Sequence, residues 1–144
     1  MSTTTAQLNE LIEITRDGQR FYQHAHDEVK DVRLQVLFRD MSQSKSELIR
    51  ALSLKVAANQ ETPASGGTFV GKLRQVYADT KATLVSDTEA TYVAQLEEAE
   101  DRILHAFEDA LESAEPDMQA LLSAEMPSVR ANHERMRALK QSMQ

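Results

Sequence analysis

The amino-acid sequence predicts an all-α protein, a bundle of four long helices with a long crossover that contains a short fifth helix. Glycine and proline contribute only 4 and 3 of the 144 residues, roughly half their usual share, which leaves too few turn formers for an all-β chain. Apolar residues recur at intervals of three and four over long stretches, as they do along one face of a helix. Three of the four glycines fall in residues 61–71, a segment typical of a loop.

Two helices are predicted before this loop. The first covers residues 6–29, and Thr4-Thr5-Ala6-Gln7 has the form of a capping box ahead of it. The second covers residues 32–58 and follows Asp31, which can cap it. A single helix through both segments would be about 80 Å long at 1.5 Å per residue, so we predict an antiparallel hairpin.

Three helices are predicted after the loop. A short one spans residues 69–84, and the next spans residues 88–112 behind Ser86-Asp87-Thr88-Glu89, a second capping box. The connection between the two hairpins has roughly thirty residues, enough to climb the full height of a bundle. Helices one and four then run one way and two and three the other, which is the arrangement of a ferritin-like bundle with one long crossover.

The last helix is predicted over residues 116–142. Pro116 suits the first helical position, because its missing N–H would be unpaired there in any case. Pro127 lies inside the helix and should kink it, since its ring crowds the carbonyl group one turn earlier. We treat all five helices as one domain covering residues 1–144.

The composition excludes several classes of function. With no cysteine there is no disulfide, no thiolate metal site and no cysteine nucleophile. A formal net charge of −7 makes a poor surface for nucleic acid or anionic lipid. Neither a secretory signal nor a run of ~20 apolar residues is present, so we expect a soluble cytoplasmic protein without nucleic-acid or membrane partners. The sequence allows a homo-oligomer and indicates no particular protein partner.

Polar side chains interrupt the apolar stripes near the middle of the predicted bundle. Glu100 stands where Leu96 and Ile103 predict a core residue. His133 interrupts the stripe of the last helix, and Asp17 borders that of the first. A buried carboxylate is costly unless it is paired or bound to a metal. We therefore expect Glu100 to have a partner inside the bundle.

Three explanations are open for these groups. The first is a buried layer of hydrogen bonds and ion pairs around Glu100 and Asp17, whose candidate partners are His133, Arg130, Lys45 or one another. The second is an iron or manganese site, since carboxylates and imidazoles from separate helices bind such metals in bundles. Its candidate ligands are Asp17, Glu97, Glu100, Asp101 and His133. The third is that the stripes are misassigned by one residue, so that these groups reach solvent.

The metal explanation lacks part of the expected pattern. Ferritin-like di-metal sites use Glu-x-x-His on two helices, whereas no acidic residue here has a histidine three positions later. We therefore favour a non-enzymatic protein with a buried polar layer, no catalytic residue and no cofactor. The alternative is a metal-binding protein or oxidoreductase that uses Glu97, Glu100 and His133. An interaction module is a third class, since the last helix is rich in methionine.

Several positions together resemble a known family. They are Asp17-Gly18, Leu37-Phe38, the acidic run from Glu97 to Asp101, and Asn132-His133. In this order they resemble a bacterial family of small ferritin-like four-helix-bundle proteins that carries a domain of unknown function. The resemblance implies the fold, says little about activity, and adds weight to the five candidate ligands. Ala99 stands where that family usually has glycine, and Asp31-Val32 where it usually has a proline turn.

Overall fold

The computed structural model describes residues 3–59 and 88–143. Within those residues every regular element is an α-helix, so the all-α prediction is confirmed. The helices are α1 (Thr3–Glu28), α2 (Val32–Ala58), α3 (Thr88–Glu112) and α4 (Pro116–Ser142). The predicted loop over residues 61–71 and the predicted crossover helix over residues 69–84 lie outside the described residues.

The first hairpin packs against the second through α1 and α3. At one end, the backbone N–H of Asp31 donates to Oε2 of Glu89 over 2.9 Å, so the end of α1 lies beside the start of α3. At the other end, Nε2 of Gln7 donates to Oγ of Ser113 over 2.9 Å. The two helices are therefore antiparallel neighbours.

Polar contacts join α2 and α4 in the same way. Nζ of Lys55, near the end of α2, lies 2.9 Å from Oδ2 of Asp117 at the start of α4. Halfway along, Nδ2 of Asn132 donates to Oγ of Ser44 over 2.9 Å. Hence α1 and α4 run one way, α2 and α3 run the other, and residues 59 and 88 lie at opposite ends of the bundle.

The start of α1 differs from the prediction, whereas the start of α2 agrees with it. Helix α1 already includes Thr3, three residues before the predicted start, so Thr4 lies inside the helix instead of capping it. Asp31 caps α2 as predicted, because its carboxylate accepts the backbone N–H of Arg33 over 2.8 Å. The capping box before α3 rests partly on residues outside the described part of the chain, and Glu89 binds Asp31 across the bundle.

The prolines of α4 behave differently from each other. Pro116 occupies the start of the helix, as predicted. Helix α4 then continues through Pro127 to Ser142, so the internal proline does not end it. None of the described helices has a stretch long and apolar enough to cross a lipid bilayer.

Two apolar clusters fill the bundle, one toward each end. The cluster at the Thr3 end includes Leu8, Leu52 and Phe107, and the cluster at the Asp31 end includes Phe38 and Leu96. Most of the buried polar side chains of the described residues lie between them, at the level of Thr15, Asp17, Ser42, Lys45 and Glu100. The core thus has a polar layer at its waist.

Gly18 brings α1 and α3 close together at this waist. A Cβ atom placed on Gly18 would lie 3.0 Å from Cδ1 of Ile103, which is closer than carbon atoms normally approach. Glycine in a helix interior is less favourable than alanine by about 1 kcal/mol. Here it makes room for an isoleucine one turn away from Glu100.

Candidate functional site

The carboxylate of Glu100 lies at the centre of the polar layer. Its side chain is 0% exposed, so the prediction that this acid is shut away from water is confirmed, and the explanation that sends it to solvent is wrong. Both oxygens are used. Oε1 accepts from Nζ of Lys45 over 2.7 Å, and Oε2 accepts from Oη of Tyr22 over 2.6 Å.

Lys45 supplies the positive charge of this layer. It projects from α2, is as fully buried as Glu100, and is one of the partners that the hydrogen-bonded explanation named. Its distance from the carboxylate is that of a charge-assisted hydrogen bond. The explanation by ion pairing is therefore confirmed for Glu100, with Lys45 in place of Arg130, which is exposed, or His133.

Tyr22 supplies the second donor from α1. Burial raises the pKa of its phenol well above the usual value of 10, and the charge and hydrogen bond of Glu100 raise that pKa further, against a smaller lowering by Arg135. The ring lies against Phe38, with centroids 6.1 Å apart. Tyr22 therefore remains a protonated donor at neutral pH.

Sequence reasoning missed Tyr22 because its ring continues the apolar stripe of α1. A signal was available. A tyrosine in a core stripe carries a hydroxyl group that needs a hydrogen-bonding partner, and Glu100 was the buried acceptor predicted at a similar height. Three helices thus contribute one polar group each, and two hydrogen bonds join these groups.

Three of the other candidate ligands, Glu97, Asp101 and His133, have partners elsewhere. Glu97 lies 3.5 Å from Nζ of Lys140. Oδ1 of Asp101 lies 3.3 Å from Nε2 of His133, on the seam between α3 and α4. Asp17 is 7% exposed, on α1. The structure therefore brings Asp101 and His133 together and places Glu100 with Lys45 and Tyr22.

The predicted metal site remains a prediction. Among residues 3–59 and 88–143, no group of three or more histidine, aspartate or glutamate side chains is placed so that it could hold a metal ion. The positive charge beside Glu100 is an ammonium group. Lys45 and Tyr22 already donate to one oxygen each of Glu100, so an ion bound there would compete with a buried ammonium group for this carboxylate.

A sequence comparison identifies the family. Residues 3–113 match the family described as "Domain of unknown function (DUF2383)". The chain belongs to this family. The DUF2383 match contains the hydrogen-bonded residues Tyr22, Lys45 and Glu100, and it ends before α4, so His133 lies beyond it. No curated protein and no solved structure matches the chain.

Proposed function

We propose that this DUF2383 protein is a non-enzymatic bundle of the ferritin-like type, in which a tyrosine, a lysine and a glutamate form the central polar layer instead of a metal centre. The observation that carries the proposal is the 2.7 Å contact between Nζ of Lys45 and Oε1 of Glu100, both completely buried. The layer's role is to set the alignment of the helices.

The lysine argues against a cation bound to Glu100. A metal ion that displaced Lys45 would leave the ammonium group buried without its counter-charge. Desolvating an unpaired ion inside a protein has an effective penalty of several kcal/mol. The chain's own cation therefore competes directly with any metal at this carboxylate.

The layer can specify alignment because its three groups come from three helices. A shift of α3 by one residue moves its side chains 1.5 Å along the axis and turns them by about 100°. Glu100 would then leave both donors and enter an apolar environment, where an unpaired charge is strongly unfavourable. Buried polar groups are known to select one register among apolar alternatives.

The test compares single and double replacements in the layer. Lys45→Met and Glu100→Gln each leave one charged group of the pair without its counter-charge, whereas Lys45→Met/Glu100→Leu removes both charges. We expect the double variant to recover most of the stability and to lose the unique arrangement, seen as broadened amide resonances and binding of a hydrophobic dye. A double variant with the sharp spectrum and helix pairing of the wild type would overturn the role in alignment.

Elemental analysis tests the absence of a core metal. We expect purified protein to contain no stoichiometric iron or manganese, before or after incubation with Fe²⁺ or Mn²⁺. Stoichiometric iron or manganese that is lost in Glu100→Ala would overturn the proposal. The exposed variant Glu98→Ala serves as the matched control, since Glu98 lies on the same helix and contacts Arg102 on the surface.

Metal binding is the second candidate function, and one observation favours it outside the core. Asp101 and His133 come from different helices and approach to 3.3 Å. Carboxylate and imidazole groups are common ligands of the same metal ion in proteins. The ligands would then differ from the predicted set of Glu97, Glu100 and His133.

A further inference from the structure

We propose that Asp101, His105 and His133 bind one divalent transition-metal ion, of the class that includes Zn²⁺, on the seam between α3 and α4. The inference develops the second candidate function and does not depend on the role of the buried layer. His105 is the new member, because it is not among the five candidate ligands that the sequence predicts.

The distances within this group carry the proposal. Asp101 has one imidazole beside each carboxylate oxygen: Nε2 of His133 lies 3.3 Å from Oδ1, and Nδ1 of His105 lies 3.4 Å from Oδ2. Both distances exceed the usual 2.7–3.2 Å of an N–H···O hydrogen bond. Two ligand atoms on one tetrahedral zinc ion, each about 2.0–2.1 Å from it, are about 3.3–3.4 Å apart. The two nitrogen–oxygen distances around Asp101 have this length.

The helices hold the three side chains in suitable places. Asp101 and His105 are four residues apart on α3, so they share one face of the helix. His133 reaches them from α4 and is the most enclosed of the three, with 13% of its side chain exposed, against 46% for Asp101 and 64% for His105. The site therefore has one anchored imidazole and an open side toward solvent.

One side chain must turn to complete the coordination. As placed, the imidazoles flank opposite oxygens and do not surround one point, so among the described residues these three side chains could not hold an ion without moving. An ion between the two oxygens of Asp101 needs the nitrogen of His105 to turn toward it. Exposed side chains change rotamer within nanoseconds, so the high exposure of His105 makes this movement easy.

The surrounding charges favour a cation. Ten acidic residues and one basic residue occur between Glu89 and Asp117, so α3 carries a strong negative potential. The one basic residue of that stretch, Arg102, lies 2.6 Å from Glu98, and Lys140 of α4 lies 3.5 Å from Glu97.

The donors also indicate which ions would bind. Two imidazole nitrogens favour zinc, nickel and copper over magnesium, calcium and manganese, which prefer oxygen ligands. Two histidines and one carboxylate, with water in the fourth position, make a known tetrahedral zinc arrangement. We therefore expect Zn²⁺ to bind, and Mg²⁺ and Mn²⁺ to bind much more weakly.

The experiment is a calorimetric titration of the metal-free full chain with Zn²⁺. We expect one ion per chain, and at least about tenfold weaker binding in His105→Ala and in His133→Gln, since even the loss of an outer-shell partner weakens metal binding about 10- to 100-fold. His26→Ala is the control, because His26 also contacts an aspartate, Asp27, at 3.0 Å. Absence of binding in the wild type, or equal weakening in the control, would overturn the site.

A further variant separates this site from the buried layer. Tyr22→Phe alters the layer without removing a charge, and we expect it to bind Zn²⁺ as the wild type does. Zinc binding that fell in Tyr22→Phe and was unchanged in His133→Gln would place the ion in the core. That result would overturn both this site and the proposed role of Lys45. Loss of binding in His133→Gln alone would support the seam site and leave the core proposal intact.

Discussion

The ammonium group of Lys45 lies 2.7 Å from the carboxylate of Glu100, and solvent reaches neither side chain. This pair links α2 to α3 across the core, and Tyr22 extends it to α1 over 2.6 Å. Its desolvation makes the pair sensitive to the loss of either partner, whereas removal of both partners is much less disruptive. The predictions below use that asymmetry and the packing around it.

Removal of one charge from the pair should strongly destabilise the protein. We expect Lys45→Met to lower the free energy of unfolding by about 3 to 5 kcal/mol, because Glu100 is left buried and uncompensated. Urea unfolding followed by circular dichroism measures the change. The control is Arg102→Met, which removes an exposed pair with Glu98 and should change stability by only about 0.3–0.5 kcal/mol. Equal effects of the two variants would contradict the burial of the pair.

Removal of the hydroxyl group of Tyr22 should lower the free energy of unfolding less than removal of a charge does. Tyr22→Phe leaves Oε2 of Glu100 without its donor, and a hydrogen bond to a charged group contributes about 1.5–3 kcal/mol. We expect a loss of stability in that range with the helical content unchanged. A loss of less than about 0.5 kcal/mol, below the usual value even of a neutral hydrogen bond, would mean that Tyr22 does not serve the carboxylate.

The same tyrosine should make stability fall at high pH. Burial, followed by the charge and hydrogen bond of Glu100, raises the pKa of Tyr22 in the folded protein. In the unfolded chain a tyrosine ionises near pH 10, so above that pH the unfolded state releases a proton that the folded state keeps. The stabilisation is therefore present below about pH 10 and declines above it. Unfolding measured between neutral pH and pH 11 should show a steeper decline for the wild type than for Tyr22→Phe.

Low pH should lower the stability of the protein through two aspartates at helix starts. Hydrogen bonding to Arg33 holds the pKa of Asp31 below its usual value, and Lys55 does the same for the pKa of Asp117. Their contribution is present above the unfolded pKa of about 3.9 and is lost as pH falls through the lower folded values. We expect Asp31→Asn/Asp117→Asn to lose less stability than the wild type between pH 5 and pH 2.5. Parallel pH profiles for the two proteins would contradict these contacts.

The contact between Gly18 and Ile103 can be tested by a double-mutant cycle. Alanine favours a helix over glycine by about 1 kcal/mol, but its Cβ would lie 3.0 Å from Cδ1 of Ile103. Ile103→Val removes that carbon atom. We expect Gly18→Ala to stabilise the Ile103→Val protein by about 1 kcal/mol. In the wild-type background we expect the same substitution to stabilise the protein less, or to destabilise it. The same effect in both backgrounds would mean that Gly18 has no packing role.

Local features of this chain were predictable because they depend on residues close in sequence. The spacing of apolar residues along α2 predicts its buried face, and Asp31 in the turn before it accepts the N–H two residues later. The interruption of the α3 stripe by Glu100 likewise predicted a buried carboxylate. The start of α1 was predicted too late because threonines favour caps, whereas α1 already includes Thr3.

The sequence by itself determined the helical periods, the turn at Asp31 and the presence of one acid that needed a partner inside the core. Only the tertiary structure decided that Lys45 and Tyr22 are the partners, and that Asp101 and His133 meet on a separate seam. The reason is geometric. Periodicity defines the face of each helix from its own residues, but a contact between helices depends on their relative rotation and shift, which the packing of the whole core determines.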